Sequence, residues 1–203
     1  VPGKMVALWN NYRALAAKMG QSTPAEPLYF LKGNNSFAAT GDTIRKPAHY
    51  AGKVVYEGEL GVVIGAACTS VSEEEAARAI FGFTCINDVT AVELITRDPS
   101  FAQWTRAKSF DTFGVFGPVI ATGIDPAALT VRTVLNGDER QNYPTADMVF
   151  RPAQLVSLIS QDMTLNPGDV IACGTSVGVG SMKPGSEVRV SIAGIGELVN
   201  RYE

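Results

Sequence analysis

Hydrophobic and polar residues alternate along much of this chain with the two-residue period that is typical of β-strands. The longest alternating stretch, residues 54–65, places Glu57 and Glu59 on one face and the apolar side chains of Tyr56, Leu60 and Val62 on the other. The dipeptide Asn136-Gly137 predicts the turn of a hairpin over residues 131–141. Further strands are predicted at residues 28–32, 83–86, 170–173, 187–192 and 197–202.

Three segments show the spacing of helices. Residues 5–19 mix Ala, Leu and Met at helix-compatible positions before Gly20, and residues 153–163 form a second candidate. A third helix is predicted from Ser72 to about residue 81, because Ser72 and Glu75 have the spacing of a capping box. Residues 98–116 fit neither period and are predicted to be a long irregular segment, a kind of loop that is usually functional.

The acidic residues of the 54–65 strand are the first candidates for a functional site. Two carboxylates about 7 Å apart on one strand face repel each other, and burying them costs several kcal/mol unless a cation or proton neutralises them. Asp88, at a predicted strand end beside Asn87, is the best-placed third acid. Three oxygen ligands suit Mg²⁺, Mn²⁺ or Ca²⁺ better than zinc. The alternative is an exposed strand face on which Glu57 and Glu59 have no function.

Composition limits the other classes of function. The 203 residues fit one domain, and the net charge of -3 with scattered Lys and Arg argues against a nucleic-acid partner. No apolar run is long enough for a membrane span, and no signal-peptide pattern is seen. Three cysteines without a CxxC pair predict reduced, buried thiols and a cytoplasmic protein. Because the chain begins at Val1 rather than Met, we expect that it lacks its true start.

Four stretches together resemble the fumarylacetoacetate hydrolase superfamily, in order and over nearly the whole chain. They are residues 56–65, 82–91, 108–111 and 165–175. The resemblance implies a mainly β protein with a few helices, in the α+β class, folded as a mixed β-sandwich roll. It also implies a single catalytic domain over residues 1–203, with residues 1–50 as an N-terminal lid or entry region and residues 51–203 as the metal-binding core. A homodimer is expected on the same basis.

The resemblance also assigns roles to the candidate residues. It implies that Glu57, Glu59 and Asp88 hold Mg²⁺ or Mn²⁺, and that the metal chelates a small 2-oxo acid or 1,3-dicarbonyl and stabilises an enolate. An enolate next to a divalent ion is favoured far more in a dry site than in water. Lys108 is expected to approach the substrate, where it stabilises negative charge or relays a proton. On residue type alone, Lys108 would be a solvated surface lysine.

Substrate contacts are expected from a second group of residues. The resemblance places Gly174 and Thr175, in a glycine-rich loop after a strand, against the substrate, with Thr175 using its hydroxyl and backbone N–H. Asn87, next to Asp88, is a further expected contact. The proline that usually follows the threonine is Ser176 here. Without the resemblance, the loop reads only as a flexible turn.

Two motifs depart from the family pattern. In the N-terminal signature that supplies a water-activating His and Glu, this chain has Leu15 and Lys18. An arginine and a glutamine that often engage substrate are replaced by Val92 and Ile95. His49, the single histidine, is a candidate replacement base, and the alternative is a histidine in a surface loop.

Three hypotheses follow. The first is a metal-dependent enzyme of the aromatic-catabolism type, which decarboxylates a 2-oxo dicarboxylic acid or shifts its double bond; neither reaction needs an activated water. The second is a C–C bond hydrolase acting on an acylpyruvate or 1,3-diketone with another base. The third is a catalytically decayed relative that keeps the metal.

Overall fold

Strands form most of the regular structure in the computed structural model, which describes residues 2–203; Val1 lies outside the described residues. The strands are β1 Met5–Trp9, β2 Leu28–Lys32, β3 Phe37–Ala38, β4 Thr43–Ile44, β5 Val54–Tyr56, β6 Gly58–Ile64, β7 Ile80–Asp88, β8 Thr90–Ala91, β9 Gly114–Ala121, β10 Thr130–Leu135, β11 Asp138–Pro144, β12 Val170–Ala172, β13 Gly180–Ser181, β14 Ser186–Ile192 and β15 Gly196–Tyr202. The α-helices are α1 Arg13–Lys18, α2 Glu73–Ala79, α3 Trp104–Lys108 and α4 Pro152–Asp162.

The strands form three sheets, of which the two larger ones have strands of mixed direction. The largest has seven strands in the order β2-β1-β12-β6-β7-β9-β3, and the second has five in the order β11-β10-β14-β15-β4. A small third sheet joins β13, β5 and β8. The pairs β1–β12, β3–β9 and β4–β15 are parallel, and the other pairs are antiparallel. This confirms the expected mainly β class and mixed sheet architecture.

The main core lies between the two larger sheets. Strands β10, β14 and β15 pack against β6, β7 and β9, and alternate side chains such as Leu60, Val62, Val190 and Leu198 are buried between them. On the other face of the large sheet, a smaller apolar cluster forms around Met5 and neighbouring strands. Strand β6 is buried along its whole length, with Leu60 and Val62 in the main core and Val63 in the smaller cluster on the other face.

Two predictions about secondary structure were wrong. Residues 5–19 are not one helix: Met5–Trp9 is strand β1, and only Arg13–Lys18 is helical. Strand β1 lies between β2 and β12, so its consecutive apolar side chains are buried on both faces and lack the alternation of a half-exposed strand. Residues 98–116 are not irregular throughout, since they contain the whole of α3 and the start of β9.

The strand predicted at residues 54–65 is divided at Glu57 into β5 and β6, which belong to different sheets. The predicted cap, turn and cysteines agree with the structure. Ser72 and Glu75 form the reciprocal hydrogen bonds of a capping box at the start of α2, and Asn136 and Gly137 have the positive φ values, 53° and 88°, that a tight hairpin turn requires. All three cysteines are free and buried. None of the described helices combines the length and apolar character needed to cross a bilayer.

Residues 2–50 contribute β1, β2 and β3 to the large sheet and β4 to the five-stranded sheet. Their division from residues 51–203 as a lid or entry region stays a prediction.

Candidate metal centre

The pairing of β6 with β7 brings the three predicted acids together. Gly58 lies opposite Asn87 in this antiparallel ladder, so one step further along the strands Glu57 faces Asp88. The Asp88 N–H donates to the Glu57 carbonyl oxygen at 2.9 Å. Glu57 lies between β5 and β6, and Glu59 is the second residue of β6. One carboxylate oxygen from each of Glu57, Glu59 and Asp88 lies within 4.8 Å of the others.

Asn87 fixes the backbone at the point where Glu57 separates β5 from β6. The Glu57 N–H donates to Asn87 Oδ1 at 3.0 Å. Strand β5 belongs to the small sheet and β6 to the large one, so Glu57 stands at a junction between two sheets. Asn87 therefore orients a carboxylate, and its predicted contact with substrate stays a prediction.

Two buried lysines contact the acids. Lys108, the last residue of α3, donates from Nζ to Glu57 Oε2 at 2.8 Å and to Asp88 Oδ2 at 2.6 Å. Lys32, the last residue of β2, donates to the other carboxylate oxygen of Asp88. The Phe30 ring lies under the Lys108 ammonium, with 5.3 Å from Nζ to the ring centroid. Lys108 is thus a buried member of the centre and not a solvated surface lysine.

Sequence reasoning did not identify Lys32 as a site residue. A signal was present, because residues 28–32 alternate and Lys32 shares its face with the buried Phe30. A Cβ on Gly114 would lie 3.3 Å from Lys32 Cε, so the absence of a side chain there makes room for the lysine.

Glu59 is the least compensated of the three acids. Its Oε2 accepts a hydrogen bond of 2.8 Å from the Gly174 N–H, but its Oε1 is buried without a hydrogen-bond partner. Gly174 has a φ of +89°, which favours glycine and turns its N–H toward the carboxylate. The predicted loop residue Gly174 is therefore a direct neighbour of the acidic triad.

Protonation at the centre follows from burial and charge. Burial, and then the nearby charges of Asp88 and Glu57, raise the pKa of Glu59 well above its usual range. Burial acts in the same direction on Asp88, but the ammonium groups of Lys108 and Lys32 outweigh it and hold the Asp88 pKa low. Burial would lower the pKa of Lys108, yet Asp88 and Glu57 together raise it. Asp88 is thus ionised and Lys108 protonated near neutral pH.

The donor set fits a divalent cation. Three carboxylates meet two ammonium groups, which leaves one negative charge uncompensated if all are ionised. The orphaned oxygen of Glu59 is buried in the same cluster, where an unpartnered carboxylate oxygen is costly. Carboxylate oxygens are ligands that Mg²⁺, Mn²⁺ and Ca²⁺ prefer. Glu57, Glu59 and Asp88 would hold such an ion.

Thr175 is attached to the start of strand β6 by a buried polar network. Its hydroxyl donates to the Gly58 carbonyl at 2.9 Å and accepts from Gln141 Nε2 at 2.9 Å. Gln141 Oε1 in turn accepts from the Gly58 N–H at 2.9 Å. Gln141, which was not predicted as a site residue, positions the loop against the strand. Its amide hydrogen bond also uses one of the acceptor positions of the Thr175 hydroxyl.

Asn11 anchors the same loop from the N-terminal segment. Its Nδ2 donates to the Cys173 carbonyl at 2.8 Å, and its Oδ1 accepts from the Phe150 N–H at 2.9 Å. A Cβ on Gly174 would lie 3.3 Å from Asn11 Cβ, so the two backbones approach closely. The N-terminal motif thus keeps a structural role here.

The residues at departures from the family pattern separate into two groups. Leu15, Val92 and Ile95 line a cavity of about 520 Å³ that Glu57 and Thr175 also line. Lys18 is exposed at the end of α1 and is not part of that lining.

His49 is exposed, with its ring centroid 5.8 Å from that of Phe110. Among residues 2–203, no hydrogen bond joins it to the acidic triad. The structure therefore does not bring His49 together with the other candidate residues, and its proposed function as a base stays a prediction.

Comparison with known proteins identifies similar sequences and folds. The family described as fumarylacetoacetate (FAA) hydrolase C-terminal matches residues 4–203. The structure of 5-carboxymethyl-2-hydroxymuconate delta-isomerase from Mycobacterium smegmatis is 40% identical with a TM-score of 0.90, covering 99% of this chain and 78% of that chain. The structure of 2-hydroxyhepta-2,4-diene-1,7-dioate isomerase from Mycobacterium marinum is 41% identical with a TM-score of 0.89, and the match covers 99% of this chain and 74% of that chain.

A third structure includes bound molecules. Fumarylpyruvate hydrolase from Pseudomonas aeruginosa, in complex with Mn²⁺ and pyruvate, is 28% identical with a TM-score of 0.90, covering 99% of this chain and 89% of that chain.

Proposed function

Since the chain belongs to the fumarylacetoacetate hydrolase family, we propose that it is a divalent-metal-dependent enzyme that decarboxylates a 2-oxo acid or shifts its double bond. The observation that carries this proposal is the triad of Glu57, Glu59 and Asp88, whose carboxylates approach one another and in which Glu59 Oε1 is buried without a hydrogen-bond partner. The resemblance leads us to expect a 2-oxo dicarboxylic acid of aromatic catabolism, and the similarity to two isomerases supports that class.

A divalent ion, Mg²⁺ by expectation with Mn²⁺ or Ca²⁺ as alternatives, would supply a Lewis acid that favours the negative charge of an enolate. The Mn²⁺ and pyruvate of the fumarylpyruvate hydrolase support this assignment, since pyruvate is a 2-oxo acid. Lys32 keeps Asp88 ionised by charge pairing. Lys108, protonated between Glu57 and Asp88, provides a second positive charge beside the reacting group. Gly174 and Thr175 form the loop against which the substrate would lie.

Leu15 favours decarboxylation or isomerisation over hydrolysis. It lines the cavity where the family pattern has a water-activating histidine, and an apolar side chain cannot accept a proton from water. Both preferred reactions need a charge sink and no water nucleophile.

The test combines metal analysis with assays. Protein purified without chelator is expected to contain a divalent metal, and its turnover of oxaloacetate and related 2-oxo acids is expected to stop with EDTA and return with Mg²⁺ or Mn²⁺. Glu59→Gln is expected to lose the metal, whereas Glu73→Gln, on an exposed acid of α2, keeps it. Turnover that is independent of metal would refute the proposal.

Two alternatives give different results in the same assays. A hydrolase acting on an acylpyruvate is favoured by the similarity to fumarylpyruvate hydrolase, and it would place ¹⁸O from water in the product carboxylate. A decayed relative would bind metal but show no turnover, so turnover that Glu59→Ala abolishes in folded protein excludes it.

The proposal includes a cytoplasmic homodimer that acts on a small molecule, with no nucleic-acid or membrane partner. The free, buried cysteines support a reducing compartment. Val119 and Ile120 of β9 are 53% and 46% exposed, and such apolar side chains are common at subunit interfaces. Light scattering is expected to give the mass of a dimer, and Ile120→Arg that of a monomer; a monomeric unmodified protein would contradict this part.

A further inference from the structure

A cavity of about 520 Å³ adjoins the acidic triad, because Glu57 and Thr175 form part of its lining. Most of the remaining lining is apolar and comes from separate parts of the chain. Strand β1 contributes Trp9, helix α1 contributes Leu15, and the turn after β8 contributes Ile95. A space that begins at a reactive centre and continues between apolar side chains is suited to the part of a substrate that does not react.

The charges around the cavity are unevenly placed. Among residues 2–203, Glu57 is the only charged residue in the lining, and no Lys, Arg or His takes part in it. The two nearby ammonium groups, of Lys32 and Lys108, are buried at the metal end, where Asp88 and Glu57 accept their hydrogen bonds. Positive charge is therefore concentrated where the 2-oxo acid group would bind and is absent from the rest of the cavity.

This distribution disfavours a second carboxylate on the substrate. Leu15 and Ile95 are half-buried and Val92 is exposed, so a carboxylate placed between them would lose part of its water and gain no cation, which is unfavourable. A methyl or methylene group in the same place gains about fourfold in affinity for each carbon that is fully buried.

We propose that this cavity binds an uncharged, apolar substituent, so that the preferred substrate is a 2-oxo acid whose only carboxylate is the one next to the 2-oxo group. The inference rests on the proposed function and narrows it to the double-bond shift, because decarboxylation through an enolate needs a second carboxylate β to the oxo group, which this substrate lacks. Leu15, Val92 and Ile95 are the specificity-determining residues.

The test measures binding, so that it does not depend on turnover. Isothermal titration of the Mn²⁺-loaded protein compares three probes: pyruvate, 2-oxohexanoate and 2-oxoadipate. The last two have the same number of carbons and differ in a terminal methyl or carboxylate. We expect 2-oxohexanoate to bind at least tenfold more tightly than pyruvate and at least tenfold more tightly than 2-oxoadipate.

A cation introduced into the cavity is expected to reverse the preference. Val92 is 37% exposed, so Val92→Arg is compatible with folding, and Ile95→Arg is a second variant at the same wall. Either change is expected to shift the ratio of the two affinities at least tenfold toward 2-oxoadipate. The matched control is Phe81→Arg, at a side chain that is 56% exposed and outside the cavity lining, and it is expected to keep the original ratio.

The outcomes separate this inference from the function on which it rests. If pyruvate binds only with metal but 2-oxoadipate binds as tightly as 2-oxohexanoate, the proposed function stands and the apolar subsite is refuted. An unchanged ratio in both arginine variants also refutes it, since the substituent then lies elsewhere. If none of the three acids binds in a metal-dependent way, both proposals fail.

Discussion

The buried pair of Lys32 and Asp88 gives the sharpest test of how this centre is built. Both side chains are fully buried, and Lys32 donates to one oxygen of Asp88 while Lys108 donates to the other. Removing one member leaves an uncompensated charge in a dry environment. In metal-free protein, Lys32→Met and Asp88→Asn are each expected to lower the free energy of unfolding by about 3–5 kcal/mol. For a chain of this size that corresponds to a fall in Tm of about 6–20 °C.

The double variant distinguishes a charge effect from a packing effect. If the cost of each single change comes from the unpaired partner, Lys32→Met with Asp88→Asn is expected to cost less than the sum by about 2 kcal/mol. Urea unfolding of all four proteins in EDTA measures the cycle. The exposed pair of Glu74 and Arg78 supplies the control, because Glu74→Gln is expected to leave the unfolding free energy unchanged. Single costs that add within about 0.5 kcal/mol would refute the reasoning.

Four further predictions test other parts of the structure. Burial and the neighbouring carboxylates raise the pKa of Glu59, so Mn²⁺ affinity is expected to fall about tenfold per pH unit below that pKa. Calorimetric titration of Mn²⁺ between pH 5 and 8 measures this change. An affinity that does not vary with pH would contradict the prediction. Because the folded pKa is the higher one, the metal-free fold loses stability as pH rises from the ordinary glutamate range through the raised pKa, and Glu59→Gln should remove this loss in urea titrations. Gly58→Ala would place a Cβ 2.0 Å from Thr133 Oγ1 and is expected to cost about 1–3 kcal/mol, with unchanged stability as the contrary result. Ser72→Ala removes the capping box of α2 and is expected to lower the free energy of unfolding by about 0.5–2 kcal/mol. Thermal melts measure the effect, and an unchanged Tm would refute the contribution of the cap.

The acidic triad illustrates how much of the site is predictable from residues. Glu57 and Glu59 are linked by the two-residue period of a strand, which operates within one segment and needs no knowledge of the fold. Asp88 required a guess about which strand end lies next to them, and the resemblance to a family supplied it. Lys32 and Gln141 were missed because their partners are far away in sequence: Lys32 donates to Asp88, and Gln141 to Thr175.

Strand β1 shows the opposite failure. Residues 5–9 read as part of a helix because a strand that is buried on both faces has no polar positions to reveal its period. Only its place between β2 and β12 defines it as a strand. The turn at Asn136 and the cap at Ser72 were predictable, since each depends on residues no more than three positions apart.

The amino-acid sequence by itself determined the local features of this protein: the alternating strands, the hairpin turn, the helix cap and the pair of acids that calls for a cation. The tertiary structure decided which of these meet. It placed Asp88 opposite Glu57, buried Lys32 against them, and gathered Leu15, Val92 and Ile95 into one apolar cavity beside the centre. The physical reason is that side-chain periodicity reports only the two faces of one element, whereas charge pairing and cavity lining depend on strand register and on contacts between distant segments.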